Sequence, residues 1–465
     1  MSHTLPFLLA LVVVIVLLAQ RLRVAYPIVL VVVGPLISLL PGIPRVSIEP
    51  ELIFLVILPP LFYEAAWAIS WKEFWRWRRI IGSFAFVVVA FTAVLVAVVA
   101  QAVIPGFSLA LGLLLGGIVS PPDAVSAGAI LKFTKLSRRA RSVLEGESLL
   151  NDASSLIILR FATIAVATGS FVWYEAAGSF VWMVVGGVGM GLVVGWLWMK
   201  LHTWLPTDAN ADTVLTLVAP YLMYWAAEEV HSSGVLAVVS GGLLLSARRH
   251  LFLSSVSRLH GVSVWESLVF LLNGLVFMLI GLYLPEITAG LAENGISLGR
   301  AIGYGVLITV VLMAGRILAT YGAVVTTLIA RNFITVADAG SPGLKGPLLI
   351  GWTGIRGVVS LAAALSIPVQ LADGLAFLQR YLILFITFVV ILLTLLVQGL
   401  SLPYFIRRFN LPDPDEIHSE EEVEAHLRQG LASRRWRCET PSTRRNSTPT
   451  PLCKRWSAVG KTVNT

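Results

Sequence analysis

Thirteen times between residues 5 and 400 the chain returns to an apolar run long enough, or nearly long enough, to cross a bilayer. A helical span needs about 20 mostly apolar residues. The runs cover residues 5–20, 24–40, 50–69, 80–103, 108–131, 142–168, 178–201, 212–230, 234–247, 264–284, 300–329, 346–368 and 377–400. In hydrocarbon each backbone polar group must be satisfied within the protein, so runs like these are read as helices. Only 13% of the residues are charged and 57% are hydrophobic, whereas an average soluble protein is about 25% charged. The expected fold is therefore an all-α polytopic membrane protein of about 13 transmembrane helices, with residues 1–410 as its membrane domain. The first run lacks a basic leader and a convincing cleavage site, and reads as a retained helix.

The net charge of +8 does not indicate nucleic acid binding, because the basic residues sit in short loops and in the tail. Loops after the odd-numbered runs, with the segment after the last up to residue 410, carry eighteen Lys/Arg. Among these are Lys72, Arg76, Arg78 and Arg79, then Lys132, Lys135, Arg138, Arg139 and Arg141. The opposite loops and the run ends that adjoin them carry only Arg45, Arg300 and Arg380. This alternation predicts an external N-terminus and a cytoplasmic C-terminus. Residues 411–465 read as a cytoplasmic tail: a turn-rich exit, a short charged helix over 416–429, then a Ser/Thr/Arg/Pro-rich stretch expected to be disordered. Both cysteines, Cys438 and Cys453, lie in that tail, and the seven histidines show no metal-ligand spacing. Neither a disulfide framework nor a resident metal or other cofactor is expected.

Two runs contain helix breakers. The fifth holds Gly116-Gly117 and Ser120-Pro121-Pro122-Asp123; the twelfth holds Gly351-Trp352-Thr353-Gly354-Ile355-Arg356-Gly357. Taking residues 5–168 and 212–400 as repeats, with the seventh run as linker, each is the fifth helix of its repeat and the two repeats are inverted. Interrupted helices at matching positions of inverted repeats are where transporters bind substrate. Proline blocks regular i→i−4 bonding, so carbonyls around Gly117 to Val119 are expected to lose helical partners and, with that of Pro122, to serve as candidate cation ligands. A helix starting after Pro122 would favour the Asp123 carboxylate at its positive end.

The sixth run carries Glu147-Ser148-Leu149-Leu150-Asn151-Asp152. At 100° per residue, Glu147, Ser148, Asn151 and Asp152 form one polar stripe about 140° wide. At about 1.5 Å per residue, Asp152 falls about 15 Å into its helix, near the midplane of a roughly 30 Å core. Oxygen-rich stripes suit hard cations. Glu64, Asp123, Glu147 and Asp152 count as four acids near the midplane, against the two bases Arg316 and Arg356. Uncompensated buried charge is too costly to persist, so the surplus must take up protons or metal cations. Competition between the two at one site couples opposite fluxes when access alternates. Glu147 is expected to pair with Arg316, Arg356 to neutralise broken helix ends or an acid, and Glu64 to be a site-ordering charge. Arg160 reads as a snorkelling or paired residue, and Glu145 as part of an entrance.

These residues resemble the monovalent cation:proton antiporter family 1, in its bacterial sodium/proton exchanger branch. The resemblance rests on Leu58-Pro59-Pro60-Leu61-Phe62-Tyr63-Glu64, Ser120 to Ala124, Glu145 to Asp152 and Gly351 to Gly357, in that order along the chain. It implies thirteen helices, a homodimer, and an elevator-like movement of a core domain. It implies that Asp152 carries the exchanged proton or transported sodium, assisted by Ser148 and Asp123. It also implies that Glu147 and Arg316 order the site and that the Asn151-Asp152 pair marks electroneutral exchange. Pro122 departs from the Thr frequent in the family, keeping a carbonyl but losing a hydroxyl, which leaves sodium, lithium and potassium all open. The expected activity is exchange of sodium or lithium for protons across the plasma membrane, serving pH and sodium homeostasis. A potassium/proton antiporter is the alternative. A cation channel fits less well, since channels use rings or filters. An intramembrane hydrolase with two aspartates as acid and base is disfavoured by the resemblance, so no enzyme activity is expected.

Overall fold

The computed structural model describes residues 4–22, 24–38, 53–131, 137–168, 173–205, 208–330, 343–370, 377, 379–409, 422, 425 and 428–430. The elements they form are helices. In chain order these begin with α1 (Thr4–Leu22), α2 (Tyr26–Ser38), and α3 (Leu58–Ala68) behind a π turn at Ile53–Ile57. Next, α4 (Trp71–Gly82) runs through a π turn at Ser83–Val88 into α5 (Val89–Val103). The fifth predicted run is split into α6 (Leu109–Val119) and α7 (Ala124–Leu131), and is followed by α8 (Arg138–Thr168). Long helices then succeed one another: α9 (Trp173–Trp204), α10 (Ala209–Glu229), α11 (Gly234–Phe252), α12 (Ser255–Glu293) and α13 (Leu298–Ala330). The twelfth run is split into α14 (Lys345–Trp352) and α15 (Val358–Leu365). The last, α16 (Arg380–Leu393), passes through a π turn at Thr394–Gly399 into α17 (Leu400–Phe409).

Helix starts follow local chemistry. Ser108, Asp208, Ser233 and Ser254 cap α6, α10, α11 and α12, each side chain accepting a backbone N–H three residues on. Such caps satisfy donors that the first helical turn leaves free. By length and composition seven described stretches can cross a membrane: Trp71–Val103, Arg139–Ala167, Gly178–Trp204, Gly234–Phe252, Ser255–Glu293, Leu298–Thr326 and Arg380–Phe409. Shorter apolar helices occupy Ala10–Arg21, Tyr26–Ser38, Leu55–Ala68 and Leu109–Val119. Several helices outrun their apolar stretch; the run read as 264–284 lies inside the 39-residue α12. The basic segment 71–79, expected to be a loop, is helical.

The two halves of the first interrupted helix are positioned by close packing. Ideal Cβ atoms on Gly112 and Gly116 would lie 2.6 Å and 2.3 Å from the carbonyl oxygens of Ala97 and Ala93. Only glycine lets the α5 and α6 backbones approach so closely, the usual device where lipid supplies no hydrophobic drive between helices. Residues 1–411 form one unit and residues 412–465 a second. The expected tail helix and the Ser/Thr-rich stretch after it fall almost wholly outside the described residues.

Candidate functional site

The gap between α6 and α7 frees a row of carbonyls, and side chains from elsewhere take them up. Ser155 on α8 donates its hydroxyl to the Gly117 carbonyl. Arg356 donates Nε to Val119 O at 2.8 Å and Nη2 to Ser120 O at 3.2 Å. Asn151 donates Nδ2 to Pro122 O at 3.2 Å. Irregular backbone at membrane depth is tolerated where protein buries and satisfies it, and these bonds do so. They also mean that Pro122 O, expected as a cation ligand, already accepts one hydrogen bond from Asn151.

Asp123 closes the gap. Its N–H donates to Ile355 O at 2.7 Å, a bond from one interrupted helix to the other. Its Oδ2 accepts from the Ser126 N–H at 3.3 Å and the Ser126 hydroxyl at 2.5 Å, capping α7. The carboxylate thus stands at the positive end of a helix.

The second gap, residues 353–357, lies directly against the first. Arg356 sits within this gap and is 0% exposed. Its backbone N–H donates to Thr394 Oγ1 at 3.2 Å, and Nη1 donates to the Gly354 carbonyl. The guanidinium is therefore used on carbonyl oxygens at the end of α6 and in its own loop. Gly357 faces Asp123: an ideal Cβ there would lie 1.7 Å from Asp123 Oδ2. Any other residue at 357 would displace the carboxylate.

All four residues of the polar stripe on α8 are buried. Glu147 and Arg316 form a two-pronged ion pair, with Nη1 to Oε1 at 2.8 Å and Nη2 to Oε2 at 3.0 Å. Both side chains are 1% exposed. Asp152 is 6% exposed, near the middle of the 31-residue α8. No hydrogen bond or ion pair of its carboxylate is found among the described residues. It stands in the field of two further carboxylates, Asp123 and Glu147. Ser148 is 8% exposed and Asn151 is 0% exposed beside it. Glu64 is half-buried on α3. At the helix surface, Arg160 is exposed and Glu145 pairs with Arg141 at 2.8 Å.

Three contributors were not singled out from the sequence, Ser126, Ser155 and Thr394, and Gly357 was named only within the second breaker segment. Two carried a local signal. Ser126 follows Asp123 by three residues, the spacing of a helix cap, and Ser155 lies four residues after Asn151, on the same side of α8. Thr394 carried none, and the contact of Gly357 with Asp123 was equally silent, because each acts through a distant segment.

The site can be set beside known proteins. The sequence pattern of the family described as "Sodium/hydrogen exchanger, transmembrane" matches residues 7–408. A sodium, potassium, lithium and rubidium/H(+) antiporter of Bacillus pumilus is 31% identical over 384 residues, covering 81% of this chain and 57% of that protein. The chain thus spans little more than half the length of that relative. An uncharacterised Na(+)/H(+) exchanger of Mycobacterium tuberculosis is 34% identical over 432 residues, covering 92% of this chain and 78% of that one. Among solved structures, the sodium proton antiporter MjNhaP1 from Methanocaldococcus jannaschii superposes with a TM-score of 0.69 at 16% identity, covering 88% of this chain and 98% of that one. That likeness is one of fold. With the family pattern running almost from end to end of its helical part, the chain belongs to the sodium/hydrogen exchanger family.

Proposed function

We propose that the chain is a secondary antiporter exchanging sodium or lithium for protons, with Asp152 as the residue that carries them in turn. The supporting observation is the contrast on α8: Glu147 is neutralised by Arg316, whereas Asp152 is buried with no such partner among the described residues. A buried carboxylate in that position is stabilised by a proton or by a hard cation. The two exclude one another, so alternate exposure to the two sides of the membrane converts one gradient into the other. Ser148 and Asp123 are the nearby oxygen donors for sodium. Asn151, Arg356 and the Glu147–Arg316 pair hold the helix breaks in register, and Glu64 adds a half-buried negative charge. The neutral Asn151 leaves one exchangeable charge at 152, consistent with one-for-one exchange.

The loop charges support a cytoplasmic C-terminus in the plasma membrane, about thirteen crossings, and inverted repeats over about 5–168 and 212–400. A homodimer is the expected assembly. Reconstitution into vesicles tests the proposal: an imposed pH gradient should move sodium, at a rate unaffected by membrane potential. Sodium movement no faster than in protein-free vesicles would overturn antiport, and strong voltage dependence would overturn electroneutrality.

Potassium is a second reading with its own support. The Bacillus pumilus relative is named for potassium and rubidium as well as sodium and lithium, and Pro122 brings no hydroxyl to the site. Exchange rates with sodium, lithium and potassium compared in the same vesicles separate the two.

A further inference from the structure

Outside the ion site, α4 has a composition that antiport does not use. Its sequence, Trp71-Lys72-Glu73-Phe74-Trp75-Arg76-Trp77-Arg78-Arg79, interleaves indoles with cations. Trp71 and Trp75 are 41% and 53% exposed and stack on each other at 5.5 Å. Lys72, Arg76, Arg78 and Arg79 are all exposed. The Arg78 guanidinium lies 4.6 Å from the Trp75 ring centre and donates to Trp75 O at 2.7 Å. Arg76 and, from α8, Arg139 lie 5.0 Å and 4.5 Å from the centre of the buried Trp77 ring. Indole stacking thus holds several guanidinium groups in set orientations on one face.

Loop lysines and arginines in general only fix topology. This face differs in having two of its cations, Arg76 and Arg78, set against indole rings, with Trp71 and Trp75 exposed beside them. Tryptophan is favoured at the level of lipid headgroups, and arginine suits two-pronged recognition of phosphate. The other side of α4 is docked on the site helix. Trp77, Ile81 and Val143 form a small apolar core of their own. An ideal Cβ on Gly146 would lie 2.5 Å from Ile81 Cδ1, so α4 rests on the residue next to Glu147.

We propose that the Trp71–Arg79 face of α4 binds anionic phospholipid headgroups of the cytoplasmic leaflet, and that this contact steadies α8 through Ile81 and Gly146. The assignment to that leaflet rests on the orientation proposed above. Charge complementarity selects the ligand: the segment carries four cations and one anion, Glu73. Glu73 itself accepts from Trp77 Nε1 at 3.1 Å.

Native mass spectrometry of the full chain, purified and exposed to phosphatidylglycerol or phosphatidylcholine, reads the contact directly. The wild type should retain phosphatidylglycerol in preference. Arg76→Gln/Arg78→Gln should weaken that retention by about fivefold per charge removed. The control Arg248→Gln/Arg249→Gln removes the same charge from the exposed end of α11 and should leave retention within about twofold. Equal retention by the wild type and the α4 variant, or equal loss in the control, would overturn the proposal. Proton-driven sodium exchange in vesicles of the two lipids then reads the coupling. The wild type should run several-fold faster with phosphatidylglycerol and the α4 variant should lose that gain; a gain kept by the variant would overturn the coupling. Absence of exchange in both vesicle types would count against antiport, while retention would still report on the lipid contact.

Discussion

The two helix breaks are opposite in kind. The gap between α6 and α7 offers oxygen: the carbonyls of Gly117, Val119, Ser120 and Pro122, and the Asp123 carboxylate. The gap between α14 and α15 offers mainly N–H groups, chiefly the guanidinium of Arg356, whose bonds run to Val119 O, Ser120 O and Gly354 O, besides the Ile355 carbonyl that accepts the Asp123 N–H. The second break therefore completes the first, and in doing so commits its positive charge to backbone. Arg316 is committed likewise, to Glu147. Both buried bases that an inspection of charges would set against the four acids are thus engaged away from Asp152. The lesson is that the site's electrostatics follow from who holds the carbonyls, more than from a count of charges.

The largest test of this comparison removes one committed base. Arg316→Leu leaves Glu147 buried without its partner, which should cost about 3–5 kcal/mol, whereas Glu147→Leu/Arg316→Leu should recover most of that loss. Thermal unfolding of the purified variants reads both; a double variant no better than the single would mean that the pair is not the term at stake. Next comes the contact between the breaks. Gly357→Ala forces a methyl group into Asp123 Oδ2 and should cost about 1–3 kcal/mol, with exchange falling at least tenfold as Asp123 moves. Normal exchange in this variant would show that Asp123 need not stay where it is. A smaller effect belongs to the bond that bridges α8 and the first break. Asn151→Ala should lose about 1 kcal/mol and free Pro122 O as an additional oxygen, so the ratio of potassium to sodium exchange should change. An unchanged ratio would remove Pro122 from the selectivity argument.

Much of this arrangement was legible because it is local. The stripe of Glu147, Ser148, Asn151 and Asp152 follows from helix periodicity, and the breaks follow from Pro121-Pro122 and from the glycines around Arg356. The cap at Asp123 was legible in principle from Ser126. Less was legible where two distant segments meet. That Arg356 would reach Val119 and Ser120, that Thr394 would take its N–H, and that Gly357 would lie against Asp123 are consequences of packing, invisible to spacing along one helix. The start of α4 was misread as a loop for a different reason. Four cations in 71–79 resemble a solvated turn, yet the helix forms because Trp77 and Ile81 bury one side against Val143 of α8. Helix ends such as those of α12 were underestimated because apolar runs mark the membrane layer, while helices continue beyond it with capped, polar turns.

The central claim is that Asp152 alone carries the exchanged ion, and Asp152→Asn tests it most directly. Exchange in reconstituted vesicles under an imposed pH gradient should fall to the level of protein-free vesicles, while the unfolding temperature stays at or above that of the wild type, since a buried carboxylate with no partner among the described residues has been replaced by a neutral amide of the same shape. Sodium-for-proton exchange retained in a folded Asp152→Asn protein would contradict the account.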